Sequence, residues 1–400
     1  MKQTHTNKKN TGLEYLFLNM FAFAGIGLLS FVFFNVSIFN QFTQAFKDFT
    51  FTDMFYSKFS DQSKIYKGPL VLINVENRSR EEIAFLLQRL EEGKPKVIGV
   101  DIIFPDKKDS VTDGILKQTL AGYNNIVLPY IASFDSSVPV IKNHEYFQTK
   151  PAAFVNLVGE DREFSTIRYY YPVYNSIPAF TTAIMQMYDS AKAAVLFKKA
   201  QSKTEIRYFG NIQNFAYQNF EEVMNPAFNT DVVKDKIVLL GYMGNASSSK
   251  IPLDEDRFFT PLNSRLSGRS HPDMYGSIIH ANILRMSLDK DYIYSFPSWL
   301  NWLVAFLLSL ALLPALVRWY VHKPVWYHLW LVLTQFAISI LFLFFTILLY
   351  AKANIKIESA ALLVSVLLIG DFILLYDHFA KYFKHKLKWN FHSKFFEGAH

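Results

Sequence analysis

The chain has 400 residues, of which 51% are hydrophobic and none is cysteine. Its mean hydropathy of +0.11 is too low for a many-helix transporter and fits a water-soluble domain combined with a few membrane spans. The absence of cysteine excludes disulfides, thiolate metal sites, iron–sulfur clusters and cysteine nucleophiles.

The net charge of +7 is distributed unevenly along the chain. Residues 40–297 contain 29 Lys and Arg and 29 Asp and Glu, so this segment is neutral. The other 142 residues contain 12 basic and 5 acidic residues, which account for the whole excess. Because the positive charge flanks apolar segments, it fits the positive-inside rule and argues against nucleic-acid binding by the central segment.

Four apolar segments predict transmembrane helices. The first, residues 15–38, has 24 residues without charge, and its helix would be about 36 Å long, enough to cross a hydrocarbon core of roughly 30 Å. A cleaved signal peptide is the alternative, but its apolar region would have only about 7–15 residues. Bulky Phe39 and Phe42 also follow the segment. The other predicted spans are residues 298–317, 326–350 and 357–376.

Basic residues predict the orientation of these spans. They are concentrated in the N-terminal tail (1–14), in the loop after the second span and in the C-terminal tail (377–400). With four spans these segments share one side, which the positive-inside rule places in the cytoplasm. We therefore expect a multi-pass protein of the cytoplasmic (inner) membrane with both termini cytoplasmic and residues 40–297 outside. Lys352 and Lys356, in the short loop before the last span, run against this rule.

Residues 40–297 have the pattern of one mixed α/β domain. Buried-strand patterns at 69–76 and 96–104 flank an amphipathic helix pattern at 78–92, which predicts a βαβ unit with parallel strands. We expect a mixed, largely parallel sheet in an extracytoplasmic domain, in addition to the four transmembrane α-helices. Further strands are predicted at 125–132, 152–158, 165–171, 204–209 and 235–241, and further helices at 112–122, 178–191 and 274–288.

Four stretches of this domain carry a resemblance to a known family: KVIGVDIIFPD (96–106), VNLVGEDREFSTIRYYYPVY (155–174), KDKIVLLGYMGN (234–245) and RFFTPLNSRLSGRSHPDMYGSIIHANILRMSL (257–288). Together they resemble the CHASE2 family of bacterial extracellular sensor domains. The resemblance covers residues 69–297, and one helix before the domain with about three after it matches the layout of that family.

The resemblance implies a sensory role. Members of the family usually precede cytoplasmic histidine kinases, nucleotide cyclases or protein kinases. About 24 residues follow the last predicted span here, too few for a catalytic output domain. We therefore expect a stand-alone member, without enzymatic activity, that passes its signal to a separate cytoplasmic or membrane effector.

Asp101 is the first candidate ligand-binding residue. It ends the apolar strand VIGVD, and open α/β sheets bind ligands outside the carboxyl ends of their strands. The alternative role is to cap a helix or loop amide, because a buried unpaired charge is costly. Asn74, in the first strand, stands where the family commonly has an acidic residue, so the resemblance carries over no carboxylate role there.

Four further residues complete the candidate ligand-binding set. His280 and Asn282 lie in the last predicted helix of the domain, where a buried polar pair holding the helix to the sheet is the alternative. Asp256 and Thr260 match the D-x-x-x-TP pattern of the family, and Asx and Thr turns explain the same residue types without a ligand.

The sequence contains no recognisable catalytic or metal-binding motif. It has no HExxH spacing, no Walker or GxGxxG pattern and no GxSxG elbow. Gly210, Gly241 and Gly244 each follow a predicted strand, where backbone turning is the expected use. We expect no cofactor and no metal.

Asp371 lies inside the last predicted span, in LLIGDFILL. An intramembrane carboxylate is a functional candidate by default and usually pairs or faces a bundle interior. Because it is only about five residues from the predicted cytoplasmic end, contact with headgroup water is the alternative.

These observations favour a membrane-anchored extracytoplasmic sensor. Its expected partners are the lipid bilayer, an unknown small ligand or envelope protein outside, and a separate effector. A homodimer is compatible with this arrangement, and no nucleic-acid partner is expected. The alternative is a structural or docking component of a cell-envelope complex.

Overall fold

The fold is that of a computed structural model, which describes residues 2–35, 55–56, 63–134, 140–147, 153–159, 165–244, 256–263, 271–322, 324–357 and 359–386. The first residues of the predicted exported domain (40–54) and the end of the predicted basic tail (387–400) lie outside these ranges. The chain divides into a helical unit, Met1–Thr52 with Tyr294–His400, and an α/β unit, Asp53–Ile293.

Ten α-helices occur in the described residues. The predicted helix 178–191 is two helices, because Asp189 ends the first and its carboxylate accepts a hydrogen bond from Lys192 N at the start of the second. In chain order the helices are α1 (Lys2–Asn35), α2 (Arg80–Glu92), α3 (Ser110–Gly122), α4 (Phe180–Tyr188), α5 (Ser190–Phe197), α6 (Phe220–Met224), α7 (Gly276–Asp289), α8 (Ser298–His322), α9 (Pro324–Ala353) and α10 (Ser359–Lys386).

The α/β unit is built on a five-stranded parallel sheet. Its strands are β1 (Leu70–Asn74), β2 (Val97–Asp101), β3 (Ile126–Val127), β4 (Ala216–Asn219) and β5 (Ile237–Gly241), in the order β4-β1-β5-β2-β3. The two predicted strands of the βαβ unit are parallel, as expected, but β5 lies between them and pairs with both. Every residue of β1 and β5 is buried, which explains their continuous apolar sequences.

Helices cover both faces of this sheet. One face packs against α2, α3 and α6 through a core that includes Ile73, Leu87 and Leu240. The opposite face carries α4 and α7. A Cβ on Gly99 of β2 would lie only 2.4 Å from Ile184 Cδ1, so α4 packs directly against the strand. α2 lies on the outside of the sheet and has an amphipathic pattern, whereas α7 is buried over most of its length.

Five pairs of two-residue strands complete the described strands. The predicted strands 152–158, 165–171 and 204–209 are each reduced to two paired residues. The pairs are Pro129–Tyr130 with Ala153–Phe154, Tyr169–Tyr170 with Thr204–Glu205, Val173–Tyr174 with Ile177–Pro178, Arg257–Phe258 with Met274–Tyr275, and Tyr294–Ser295 with Ile355–Lys356.

Four helices of the helical unit are long and apolar enough to cross a membrane: Gly12–Phe31, Ser298–His322, Trp326–Ala353 and Leu362–Lys386. A shared core of α1, α8, α9 and α10 holds them together. The last helix continues to Lys386, ten residues beyond the predicted end of its span at residue 376.

A buried polar contact joins the first two of these helices. Asn19 of α1 is fully buried and donates from Nδ2 to the carbonyl oxygen of Phe306 at 3.0 Å. Ser309 Oγ lies 2.8 Å from Asn19 Oδ1 and 2.9 Å from the same Phe306 oxygen. Hydrogen bonds between apolar helices hold a defined pairing of α1 with α8.

Candidate functional site

The carboxyl ends of three adjacent strands meet at one edge of the sheet. Asn74 of β1 pairs with Gly241 of β5, and Gly241 pairs with Asp101 of β2. The first turn of α7 lies beside these strand ends. We call this region, centred on Asp101 and the start of α7, the carboxyl-edge site.

Asp101 and Ser277 form the centre of the carboxyl-edge site. Ser277, the second residue of α7, is fully buried and donates from Oγ to Asp101 Oδ2 at 2.7 Å. Gly241 leaves room for this bond: a Cβ there would lie 2.1 Å from Ser277 Oγ and 3.2 Å from Asp101 Cβ. The predicted use of Gly241 was backbone turning, whereas the structure requires glycine there because Ser277 and Asp101 approach so closely.

His280 lies one turn further along α7. Its side chain is 5% exposed, and its ring meets the ring of Phe180 edge-on at 5.7 Å between centroids. Nδ1 is buried and has no hydrogen-bond partner. Burial lowers the pKa of His280, and the nearby Asp101 carboxylate opposes this effect only in part. The imidazole is therefore neutral at pH 7.

Asn282, by contrast, has used all its hydrogen-bonding capacity. Oδ1 accepts from the amides of Phe209 at 2.7 Å and Gly210 at 3.2 Å. Nδ2 donates to the carbonyl oxygens of Gly210 and Ile278, both at 2.9 Å. An amide side chain makes at most these four bonds, so Asn282 fixes a loop to α7 and matches the structural alternative left open by the sequence.

Thr260 likewise lies in a closed hydrogen-bonded arrangement. Its Oγ1 donates to Asp273 Oδ2 at 2.6 Å, and its amide donates to Asp273 Oδ1 at 2.8 Å. Burial raises the pKa of Asp273 to about 6, although the bonds from Thr260 pull in the opposite direction. Sequence reasoning missed Asp273, and its position just before α7 was the available signal.

Asp256 lies at the other side of the first turn of α7. Its φ of 72° is left-handed, and its carbonyl oxygen accepts from the amide of Gly276 at 3.2 Å. A Cβ on Gly276 would lie 3.0 Å from Asp256 Oδ1. Asp101 and Asp256 therefore flank the start of α7, where the helix dipole favours negative charge and where Tyr275 supplies no side-chain cap.

Asn74 holds the loop that follows β5. Its Nδ2 donates to the carbonyl oxygen of Gly244 at 2.7 Å, and its Oδ1 accepts from the amide of Met243 at 2.9 Å. The same amide group also contacts Tyr217 Oη at 3.1 Å. A carboxylate could not donate to Gly244, so asparagine gives this position a structural role.

The structure thus brings together three of the five candidate ligand-binding residues. Asp101 and Asp256 lie beside the first turn of α7, which contains Ser277. His280 lies one turn further along the same helix. Asn282 and Thr260 are occupied by internal hydrogen bonds. Within the described residues, no group of three or more His, Asp or Glu side chains could hold a metal ion.

Two carboxylates of α10 have different environments in the helical unit. Asp377 is buried and accepts hydrogen bonds at Oδ2 from Tyr320 Oη at 2.6 Å and Lys381 Nζ at 2.7 Å. Asp371, the carboxylate singled out from the sequence, is exposed on the outer surface of the unit. Sequence reasoning did not consider Asp377, because it lies one residue beyond the predicted span.

Comparison with known proteins gives one result. A family model, described as the CHASE2 domain, matches residues 30–314, which is more than half of the chain. No curated protein and no solved structure matches the chain. CHASE2 domains are sensor domains, and the mainly parallel α/β sheet followed by apolar helices agrees with the match. The chain belongs to the CHASE2 family.

Proposed function

We propose that this protein is a membrane-anchored receptor, without catalysis of its own, that binds a small ligand at the carboxyl-edge site and passes the signal to a separate partner. The observation that carries the proposal is the incompletely paired cluster of Asp101, Ser277 and His280 in a sensor-family domain. Parallel sheets bind ligands at this edge.

Unused hydrogen-bonding capacity in this cluster supports ligand binding. Asp101 Oδ2 accepts from Ser277, whereas Oδ1 accepts no hydrogen bond from the described residues. His280 Nδ1 is buried without a partner. Buried polar atoms in native proteins are nearly always satisfied, so His280 Nδ1 favours a ligand that supplies the missing contact, and the half-buried Asp101 Oδ1 beside it can bind the same ligand.

The position of α7 in the chain supports signal transmission. α7 ends at Asp289 and the membrane helix α8 begins at Ser298, so only eight residues, 290–297, connect the two helices. α8 is in turn hydrogen-bonded to α1 through Asn19. A ligand that shifts the start of α7 would act directly on the segment that leads into the bilayer.

The proposed orientation rests on charge. Basic residues concentrate in the two tails and in the loop between α8 and α9, and by the positive-inside rule this distribution supports a cytoplasmic position for these segments. The α/β unit then lies outside the inner membrane. The effector that receives the signal is a cytoplasmic or membrane protein, and the receptor itself is compatible with a homodimer.

Ligand binding is tested on the full-length protein in lipid nanodiscs. A panel of amino acids, sugars, short peptides and divalent ions is screened for an increase in the unfolding temperature of the α/β unit. We expect at least one compound to stabilise the wild type and to lose its effect in Asp101→Asn.

Asp189→Asn is the matched control for this experiment. It makes the same chemical change at the start of α5, where an asparagine still caps the helix. The neighbouring Tyr188 packs over Lys96, just before β2, so Asp189 lies at the opposite edge of the sheet. Equal loss of stabilisation in both variants, or a stoichiometric envelope protein bound without any ligand response, would contradict the receptor proposal in favour of a docking component.

A further inference from the structure

One face of α10 is a continuous exposed stripe. Its members recur every three or four residues, as neighbours on one helix face do. The four apolar members have between 37% and 45% of their surface exposed, and Asp371 stands in the middle of them. We call this the α10 stripe, and its members are Val364, Leu367, Asp371, Leu375 and Phe379.

Asp371 is an acidic residue on an otherwise apolar, exposed helix face. It lies nine residues from the start of the apolar helix Leu362–Lys386 and fifteen from its end. Asp377, nine residues from the same end, is buried and paired with Tyr320 and Lys381. Asp371 makes no hydrogen bond or ion pair with any residue that the structure describes. A charged side chain that faces lipid is costly and normally has a partner.

The level of Asp371 along the helix is fixed by a neighbour. Gly370 accepts a hydrogen bond of 3.0 Å from Tyr327 Oη, and Tyr327 is the second residue of the apolar helix Trp326–Ala353. Asp371 therefore lies in the half of the bilayer closest to the loop between α8 and α9. Under the proposed orientation this is the cytoplasmic half.

We propose that the α10 stripe docks a transmembrane helix of the effector that carries a Lys or Arg in the cytoplasmic third of its span. The base pairs with Asp371, and the apolar members of the stripe pack against the same helix. A symmetric second copy fits less well, because it would bring two Asp371 carboxylates together. The inference rests on the proposed function, since it identifies where the separate partner binds.

The test uses full-length protein in neutral phosphatidylcholine vesicles and a synthetic transmembrane peptide of leucine and alanine. One peptide has a single Lys in its cytoplasmic third, a second has Leu at that position, and a third has the Lys at its outer end. Energy transfer between labelled protein and labelled peptide measures association. We expect the first peptide to bind the wild type about tenfold more tightly than the other two.

Asp371→Asn, which keeps the size of the side chain, should abolish this preference. Leu333→Asn is the matched control, because it places the same amide on an exposed position of α9. Equal binding of all three peptides to the wild type would show that water satisfies Asp371 and would overturn the proposal. Self-association of the protein that is lost in Asp371→Asn would also overturn it, in favour of a second copy.

Failure of this test is distinguishable from failure of the receptor proposal. Ligand stabilisation of the α/β unit depends on Asp101 and is measured without any peptide. A ligand response that persists in Asp371→Asn, together with no peptide preference, would reject the docking surface alone.

Discussion

Ser277 Oγ donates to Asp101 Oδ2 across 2.7 Å, which ties the start of α7 to the end of β2. The bond depends on Gly241, whose missing side chain leaves the space that Ser277 occupies. This contact connects the sheet to the helix that leads towards the membrane segment.

Gly241→Ala should destabilise the α/β unit by about 2 kcal/mol, in the range of overpacked cores. Ser277→Ala should cost about 1.5–3 kcal/mol, because it removes a hydrogen bond to a charged group. The double variant should lose less than the sum of the two, since Ser277 Oγ is the atom that the new methyl group meets. Thermal unfolding of the four proteins measures this, and strict additivity would show that the clash lies elsewhere.

His280 should make the protein sensitive to acid. Its folded-state pKa is lowered below the ordinary value by burial, so the unfolded chain binds more protons as the pH falls through about 6.5. The stabilising contribution of the neutral imidazole is therefore full above that pH and is lost below it. The nearby Asp101 carboxylate favours the protonated imidazole, which reduces the lowering of the pKa of His280 but does not reverse it.

His280→Leu should remove this acid sensitivity without a loss of stability at pH 7, because Nδ1 has no partner to lose. Unfolding curves between pH 5 and pH 8 provide the measurement. If the variant is also unable to respond to a ligand that stabilises the wild type, the imidazole acts in binding. Marked destabilisation at pH 7 would instead assign it a packing role.

Asp273 should have the opposite pH dependence. Its folded pKa of about 6 lies above the ordinary 3.8, so the folded state binds more protons between these values. Stability contributed at this position is present at low pH and falls as the pH rises through about 6. Relative to Asp273→Asn, the free energy of unfolding of the wild type should fall by about 2 kcal/mol between pH 4 and pH 7. This magnitude follows from the raised pKa of Asp273 and is reduced because the side chain is partly exposed to solvent.

This difference is measured by denaturant unfolding of both proteins across that range. Asp109→Asn is a suitable control, because hydrogen bonds from the amides of Thr112 and Val111 lower the pKa of Asp109 and its burial is slight. A constant gap between wild type and Asp273→Asn would rule out the raised pKa.

Asn282→Leu should destabilise the α/β unit severely, by about 3 kcal/mol or more. It leaves the amides of Phe209 and Gly210 and the carbonyl of Gly210 buried without partners. Asn282→Asp should also be harmful, because a carboxylate cannot donate to Gly210. Loss of ligand response in these variants should track loss of folded protein, as measured by circular dichroism, rather than precede it.

Local patterns in the sequence were sufficient for the elements with strong periodicity. The amphipathic helix α2 begins where Ser79 and Glu82 form a capping box, and β1 and β2 end within a few residues of the predicted positions. β4 was missed because its four residues, AYQN, are half-buried at the edge of the sheet and have little apolar pattern. Its assignment as a strand depends on pairing with β1, and no local sequence pattern indicates that pairing.

The candidate site was predictable only in part. The rule for strand ends identified Asp101, but nothing local distinguishes His280 from Asn282, two residues apart on one helix. The hydrogen-bonding groups of Asn282 are satisfied by a loop about 70 residues earlier in the chain. No local pattern in the sequence indicates that this loop lies next to α7. The contrast between Asp371 and Asp377 has a similar origin, because the rotation of α10 within the helical unit decides which carboxylate is buried.

β5 occupies the centre of the sheet between β1 and β2, although more than 130 residues separate it from β2 in the chain. During synthesis, β1 and β2 are complete long before the strand that joins them exists. The edges of β1 and β2 that face β5 have no partner until residue 241 has emerged, so the centre of the sheet cannot form before then. Productive folding must therefore wait for nearly the whole α/β unit, and the unfinished chain needs protection from aggregation during that interval.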